Sequence, residues 1–231
     1  INKMKIIFLD ASTVDAGDIN LDCIRKHGDL IIHSTTSNNE TLKRVIDSEI
    51  IITNKVIIDK PIIEASKKLK LIVVSATGYN NIDVDAAKAN NVTVCNVVDY
   101  STPIVAQHTI SLILNLCGQT YKYLNEKSLW PASPIFTRLD HRVTEISGKT
   151  LGIVGVGNIG SKVGEIAESM GMKIQVLARK DSKSLIHQEW PRLEYASFFE
   201  NSDIITLHCP LTDSNKHLIN NESLSIMKKT S

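Results

Sequence analysis

The sequence has 231 residues, of which 42% are hydrophobic and 22% charged, and its formal net charge is +1; this length accommodates one large domain or two ordinary ones. The balanced charge gives no indication of nucleic acid or an anionic membrane surface as a partner, the apolar stretches are too short to cross a membrane, and Ile1–Asp10 lacks the features of a signal peptide. The four cysteines show neither metal-ligand nor disulfide spacing, so a cytoplasmic protein without a metal site is expected.

The first hundred residues are predicted to alternate strands and helices. Five short apolar strands are expected at Lys5–Leu9, Leu30–His33, Ile50–Thr53, Leu71–Val74 and Val92–Cys95. The helices between them are expected at about 18–27, at Thr41–Asp47 behind a Ser37–Glu40 capping box, from Pro61 onward, and at Val84–Ala89 behind an Asp83 cap. Strands that alternate with helices indicate an α/β fold with a parallel, doubly wound sheet that is covered on both faces.

The pattern changes near Tyr100. A long helix is predicted at Ile104–Leu116, and it is apolar on more than one face. Such a helix needs two partners, such as two domains or a second subunit, and we expect a homodimer. The segment Lys127–Arg142 is predicted to be irregular. The change of pattern divides the chain into two domains, residues 1–100 and 101–231.

A glycine-rich turn follows a short buried strand at Leu151–Val154. Gly155, Gly157 and Gly160 fit the pattern G-x-G-x-x-G. In dinucleotide-binding proteins the first glycine allows the tight turn, the second allows the backbone to approach a pyrophosphate, and the third allows helix and strand to pack closely. The next helix offers free N–H groups to phosphate, and its apolar residues fall on one face: Ile159, Val163, Ile166 and Met170. The alternative is a glycine-rich turn that binds nothing.

The alternation of strands and helices continues beyond the glycine-rich turn. Strands are predicted at Ile174–Ala178 and Ile204–His208, and helices at Tyr195–Phe199 and Glu222–Met227. A dinucleotide-binding domain of the Rossmann type has more parallel strands than these. We therefore expect this second Rossmann-like domain to be incomplete at the C-terminal end of the sequence.

Cofactor choice depends on the residues at the end of the strand 174–178. An acid that binds the ribose 2′-hydroxyl is expected there, but the sequence has Ala178, followed by Arg179, Lys180 and Asp181. Three interpretations stay open: the basic pair binds a 2′-phosphate, Asp181 reaches the ribose, or the turn is simply solvated. The missing acid and the neighbouring arginine favour NADP over NAD.

Two strand ends in the first half carry residues suited to binding a carboxylate. Asn54 and Lys55 follow one strand, and Ala76, Thr77 and Gly78 follow the next. Ligands of open parallel sheets bind beyond the carboxyl ends of the strands, where consecutive N–H groups suit an anion. On the residues alone, two ordinary strand-to-helix turns are the simpler interpretation.

Five stretches together resemble the D-isomer-specific 2-hydroxyacid dehydrogenases, and most closely their glycerate dehydrogenase or hydroxypyruvate reductase branch. They are Ser75–Asp83 (SATGYNNID), Val105–Ile110 (VAQHTI), Ser147–Gly160 (SGKTLGIVGVGNIG), His208–Thr212 (HCPLT) and His217–Asn220 (HLIN). Their combination and order are specific, and the resemblance extends over the chain from Met4.

The resemblance implies two Rossmann-like domains with a cleft between them. Residues 1–100 would form a flavodoxin-like substrate domain and residues 101–231 the NAD(P)-binding domain. By position, the residues that match the family's substrate loops are Asn54, Lys55, Ala76, Thr77 and Gly78. Those that match its cofactor site are Val105, Thr109, Gly155, Gly157, Asn158, Ile159, Gly160, Ala178, Arg179, Lys180, Cys209, Pro210 and Asn215.

The family resemblance also implies a reaction, a hydride transfer between NAD(P)H and a small 2-oxo acid such as hydroxypyruvate or glyoxylate. The family's catalytic arginine, acid and histidine match positions beyond Ser231, so no catalytic residue is assigned in this chain. Ala178 stands where the family usually has aspartate, which leaves the preference between NAD and NADP open. The alternative function is a non-catalytic NAD(P)-binding regulatory module of the same family.

Overall fold

The computed structural model describes residues 3–179 and 186–230, and the chain divides into two compact units, Ile1–Tyr100 and Ser101–Ser231. Each unit is built around its own parallel sheet, of five strands in the first and four in the second. The predicted α/β class with two parallel, Rossmann-like sheets is therefore confirmed.

The first unit places helices between successive parallel strands. The strands are β1 (Met4–Phe8), β2 (Gly28–Ile32), β3 (Ile50–Thr53), β4 (Leu71–Val74) and β5 (Thr93–Asn96). The helices are α1 (Asp22–Arg25), α2 (Asn38–Val45), α3 (Lys60–Ala65) and α4 (Val84–Ala89). The strand order β2-β1-β3-β4-β5 is the order of flavodoxin-like sheets, in which the connections change direction between β1 and β3.

Both faces of the first sheet carry a hydrophobic core, which explains why its central strands β1, β3 and β4 are mostly apolar. Ile7, Ile51 and Ile72 belong to the core on one face, whereas Ile6 and Phe8 belong to the core on the other. Because successive side chains of a strand point to opposite faces, a strand that is covered on both sides must supply apolar residues to both.

The second unit begins with three helical segments and continues as a strand–helix series. The helices are α5 (Thr102–Gly118), α6 (Thr120–Asn125), α7 (Asn158–Ser169), α8 (Tyr195–Asn201) and α9 (Asn221–Ile226), with a 3-10 helix at Lys127–Ala132. The strands are β6 (Thr150–Val154), β7 (Lys173–Leu177), β8 (Arg192–Leu193) and β9 (Ile204–Leu207). The order β8-β7-β6-β9 corresponds to the first four strands, 3-2-1-4, of the dinucleotide-binding sheet.

The central strand of the second sheet, β6, is buried between two groups of helices. Leu151 and Ile153 pack with Val163 of α7 and with one face of α5, while Val154 packs with the two phenylalanines of α8. The predicted apolar face of α7 is confirmed, since all four of its residues join this core. The sheet thus holds the end of β6 and the start of α7 in fixed positions.

One helix prediction is wrong at its start. The helix expected at about 18–27 is α1, which begins only at Asp22. The carboxylate of Asp15 accepts hydrogen bonds from the N–H groups of Gly17, Asp18 and Ile19 at 2.7, 3.0 and 3.1 Å. A side chain that binds the backbone in this way competes with helix formation and produces a turn instead.

Other elements also differ from the sequence predictions. β2 begins at Gly28 rather than Leu30, because Gly28 pairs with Met4 of β1. The segment predicted to be irregular from Lys127 starts with a 3-10 helix. The helix α6 and the two-residue strand β8 were not predicted at all; β8 forms by pairing with β7.

Two classes of feature are absent from the described part of the chain. No helix within residues 3–179 and 186–230 is long and apolar enough to cross a membrane. Over the same residues, no group of histidine, cysteine or acidic side chains is arranged to hold a metal ion.

Candidate functional site

The glycine-rich turn joins β6 to α7, as its sequence pattern requires. Gly155 has φ +96°, a left-handed conformation that side chains rarely adopt. A Cβ atom at Gly155 would lie 2.8 Å from the amide nitrogen of Cys209, and one at Gly160 would lie 2.0 Å from the carbonyl oxygen of Gly155. Both positions therefore need glycine for reasons internal to the protein.

Gly157 is different, because the protein itself does not require glycine there. Its φ is −94°, and a Cβ atom at this position would have no heavy atom within 4 Å. Gly157 and Asn158 are exposed, and Asn158 begins the 12-residue helix α7. Open space directly before the N–H groups of a helix start is the setting in which phosphates bind, so the turn fits the pyrophosphate of a dinucleotide.

The turn after β9 lies against the glycine-rich turn. The His208 amide donates to the carbonyl oxygen of Val154 at 2.8 Å, which holds the ends of β6 and β9 together. Asn215 closes the turn: its Nδ2 donates to the carbonyl oxygen of Pro210 at 2.7 Å and to Sγ of Cys209 at 3.4 Å. The structure thus brings the predicted residues Cys209, Pro210 and Asn215 together beside Gly155.

His208 has a half-buried imidazole at the end of β9. Its Nε2 lies 2.8 Å from Oγ1 of Thr206, and burial of the ring lowers the pKa of His208 below its ordinary value. A lowered pKa favours the uncharged imidazole near neutral pH. We assign no proton-transfer role to this side chain.

The end of β7 lies at the same edge of the sheet as the glycine-rich turn, because β7 pairs with β6. The Ala178 amide donates to the carbonyl oxygen of Leu193 at 2.8 Å, and Arg179 follows as an exposed residue. The position therefore carries no carboxylate and one adjacent guanidinium. Lys180 and Asp181, which were also considered for the ribose, lie outside the described residues.

Two more predicted cofactor residues lie on α5. Thr109 Oγ1 donates to the carbonyl oxygen of Val105 at 2.8 Å, and both residues are half-buried. They are one helical turn apart and so share a face of α5. The helix α5 packs along α7, whose first residues include the predicted Ile159.

In the first unit, a buried carboxylate shapes the loop that follows β3. Asp10, at the end of β1, is 3% exposed. Its two oxygens accept hydrogen bonds from the N–H of Asn54 at 2.9 and 3.1 Å, and Oδ2 also accepts from the N–H of Lys55 at 2.6 Å. Sequence reasoning missed this role of Asp10, although an acid directly after a buried strand at the point where connections change direction was the available signal.

The loop after β4 is adjacent to the loop after β3. The Ser75 amide donates to the carbonyl oxygen of Thr53 at 2.8 Å. Ala76 is buried and its carbonyl oxygen accepts from Val97 at 3.1 Å, whereas Thr77 and Gly78 are exposed. The structure therefore brings the two predicted substrate loops together at the carboxyl edge of neighbouring strands.

The Gly78 position does not depend on the conformational freedom of glycine. Its φ lies outside the left-handed region, and the nearest atom to an added Cβ is Oδ1 of Asn80 at 3.7 Å. The residue is nevertheless exposed. The predicted binding of a substrate carboxylate at Gly78 therefore depends on the exposure of the residue and not on a strained backbone.

Two surface depressions lie away from the predicted sites. One of about 570 Å³ is bordered by Tyr123, Trp130 and Arg138 in the second unit. The other, of about 430 Å³, is bordered by His33 and Lys43 in the first unit. Neither contains a residue of the glycine-rich turn or of the loops after β3 and β4, and we attach no function to either depression.

Comparison with known families gives a match over the second unit. The profile described as "D-isomer specific 2-hydroxyacid dehydrogenase, NAD binding domain" matches residues 110–231. This range contains the glycine-rich turn, the end of β7 and the turn after β9.

Comparison with characterised proteins gives matches over nearly the whole chain. A hydroxypyruvate reductase from Blautia hydrogenotrophica is 31% identical over 97% of this chain and 71% of the relative. A glycerate dehydrogenase from Methylorubrum extorquens is 32% identical over 98% of this chain and 70% of the relative. The sequence thus spans about 70% of each of these relatives.

Among solved structures, an acyclic imino acid reductase in complex with NADPH and D-Arg has a similar fold. Its TM-score is 0.83 at 26% sequence identity, over 97% of this chain and 71% of that chain.

Proposed function

Because the chain belongs to the D-isomer-specific 2-hydroxyacid dehydrogenase family, we propose that it is an oxidoreductase that transfers a hydride between a nicotinamide cofactor and a small 2-oxo acid. Hydroxypyruvate and glyoxylate are the proposed oxidised substrates, and D-glycerate and glycolate the reduced ones. The relatives of similar sequence whose names state such an activity support this choice.

The observation that carries the proposal is the open space at Gly157. A glycine-rich turn that served only the fold would need glycine where the protein is crowded, as at Gly155 and Gly160. At Gly157 the surrounding space is empty, so the absence of a side chain is explained by a group that approaches from outside. The pyrophosphate of a dinucleotide at the start of α7 is such a group.

The substrate end of the proposal depends on the loops after β3 and β4. Lys55, Thr77 and Gly78 are exposed residues, and we propose that Lys55 offers its ammonium group and the other two their backbone N–H groups. A cation beside free amides suits the carboxylate of a 2-oxo acid. We propose that these residues bind and orient that carboxylate, together with Asn54 and Ala76.

The division of tasks in the proposed reaction follows from these two sets of residues. The nicotinamide ring, when bound, supplies or accepts the hydride. Residues of the glycine-rich turn and of α7 hold the phosphates, and the half-buried Val105 and Thr109 border the nicotinamide end. No proton donor is assigned within this chain.

The proposal is tested by an activity assay on the full-length protein. Oxidation of NADPH and NADH is followed by absorbance with hydroxypyruvate, glyoxylate and, as a control without a 2-oxo group, glycerate. We expect oxidation with the first two compounds. Cofactor binding without turnover of any 2-oxo acid would instead support the non-catalytic regulatory module.

Cofactor preference is the first prediction. We expect NADPH to be preferred about tenfold in kcat/KM, since one charge-assisted hydrogen bond from Arg179 contributes roughly 1.5 kcal/mol or more. Arg179→Ala should reduce this preference. Lys173→Ala is a matched control, because it removes an exposed cation from the opposite end of the same strand. A wild-type preference for NADH, or an unchanged ratio in Arg179→Ala, would contradict the prediction.

A homodimer is the second prediction. α5 buries one face, with Ala106, Ile110 and Ile113, but Leu112 and Leu116 are 50% and 64% exposed. Exposed leucines on successive turns form an apolar stripe of the kind that marks interfaces. Light scattering of the full-length protein should give the mass of a dimer, and Leu116→Glu should shift it toward monomer.

A matched control for the dimer experiment is Ile57→Glu, which places the same charge at an exposed isoleucine of the first unit. This variant should remain dimeric. A monomeric wild type at micromolar concentration, or equal dissociation in both variants, would contradict the role of α5.

A further inference from the structure

Asp10 carries a buried carboxylate that the proposed hydride transfer does not use. It is 3% exposed, which is unusual for an acidic side chain unless its charge is compensated. The compensation comes from backbone amides: both oxygens accept from the N–H of Asn54, and Oδ2 also accepts from the N–H of Lys55. The carboxylate thus binds the backbone of the proposed substrate loop.

A second hydrogen bond fixes the same loop from its other end. Thr53 Oγ1 accepts the N–H of Val56 at 3.1 Å. The flanking Thr53 and Val56 are buried, whereas Lys55 is exposed. The loop is therefore anchored at both ends, and of its two middle residues Asn54 is half-buried whereas Lys55 is exposed.

The ammonium group of Lys55 forms no ion pair with Asp10. Among the ion pairs of the described residues, none joins Lys55 to an acid, although its own backbone amide binds a carboxylate. The bonds to Asp10 thus orient the loop and leave the positive charge of Lys55 available. An anion that reaches this edge of the sheet meets the ammonium group rather than the buried carboxylate.

We propose that Asp10 is a positioning residue for substrate binding. Its carboxylate fixes the amides of Asn54 and Lys55, so that the loop presents the Lys55 ammonium group to the carboxylate of the 2-oxo acid. Asp10 itself does not touch the substrate. The inference rests on the proposed function of the loop and adds to it the residue that sets the geometry of the loop.

The test compares Asp10→Asn with Asp15→Asn in the full-length protein. The amide of asparagine keeps the shape of the side chain but places an NH₂ group against one backbone N–H, so a hydrogen bond is lost. Asp15 is the matched control, because its carboxylate also accepts three backbone N–H bonds, from Gly17, Asp18 and Ile19, in a different loop.

We expect Asp10→Asn to raise KM for hydroxypyruvate by about tenfold and to leave the dissociation constant of NADPH unchanged. Asp15→Asn should change neither quantity. An Asp10→Asn enzyme with the wild-type KM, or with KM and cofactor affinity weakened equally, would overturn the inference.

A double-mutant cycle separates positioning from general support of the fold. Lys55→Met removes the charge and keeps the length of the side chain. If Asp10 acts through Lys55, Asp10→Asn should have little further effect on KM once Lys55 is replaced. Additive effects of the two substitutions would contradict the proposal.

If Asp10→Asn does not fold, a second variant tests the same proposal. Thr53→Val removes the acceptor for Val56 and preserves the side-chain shape, so it loosens the loop from the other end. It should also raise KM for hydroxypyruvate without changing the dissociation constant of NADPH, and a wild-type KM in a folded Thr53→Val would count against loop positioning.

Failure of the wild type to reduce any 2-oxo acid would refute the proposed function, whereas an active wild type with unaffected variants would refute only the role of Asp10.

Discussion

Replacing Gly157 by valine is expected to abolish cofactor binding while the second unit stays folded. The protein leaves space for a side chain at this position, since an added Cβ has no neighbour within 4 Å. The extended φ of −94° is also accessible to valine. Two methyl groups would then occupy the space where phosphate oxygens approach the first turn of α7, and several hydrogen bonds of roughly 1.5–3 kcal/mol each would be lost.

The measurement is thermal unfolding with and without NADPH. A ligand at a hundred times its dissociation constant stabilises the native state by about 2.7 kcal/mol, which is a rise of several degrees in Tm for a chain of this length. The Gly157→Val variant should show no such rise. Gly157→Ala, which adds a single methyl group, should retain part of it. Equal stabilisation of valine variant and wild type would contradict the assignment of the turn.

Replacing Gly160 by alanine is expected to destabilise the second unit rather than to affect binding selectively. The added Cβ would lie 2.0 Å from the carbonyl oxygen of Gly155 and 3.4 Å from Cβ of His208. Because the nearest atom belongs to the backbone, no side-chain rotation relieves the clash, and α7 has to move away from β6. We expect a loss of about 3 kcal/mol, the upper end for overpacking, although alanine alone favours a helix over glycine by about 1 kcal/mol.

Intrinsic fluorescence is suited to this measurement, because both tryptophans of the chain, Trp130 and Trp190, lie in the second unit. Trp190 is 2% exposed, so its emission should change when that unit unfolds. A fall in Tm of roughly 10 °C is expected for Gly160→Ala, against little change for Gly157→Ala. If the two alanine variants proved equally stable, the close approach of α7 and β6 would not be required for folding.

The elements that were predictable from sequence are those defined by local signals. β3, β4 and α4 have the predicted bounds, because apolar runs of strand length and a capping aspartate are decided by neighbouring residues. The side chain of Asp83 accepts the N–H of Ala86 at 2.9 Å, as an N-cap does. The glycine-rich turn was predictable for the same reason, since its spacing and context are local.

The features that sequence reasoning missed depend on distant partners. β8 is two residues long and exists through its pairing with β7, so its own sequence carries little information. Asp10 binds backbone groups 44 and 45 residues away, so its place after a buried strand indicates a special position but does not identify its partners. The late start of α1 is a third case: Asp15 competes with the helix for N–H groups, and both outcomes fit the composition of the segment.

The three glycines of the turn would follow different paths if a descendant of this protein gave up its cofactor. Selection for glycine would persist at Gly155, because its φ is left-handed, and at Gly160, because a side chain there would clash with the backbone. Gly157, which has open space around it, would be released and could drift to any small or medium residue. A lineage that keeps the outer glycines and varies the middle one would therefore record the loss of an activity without the loss of a structure.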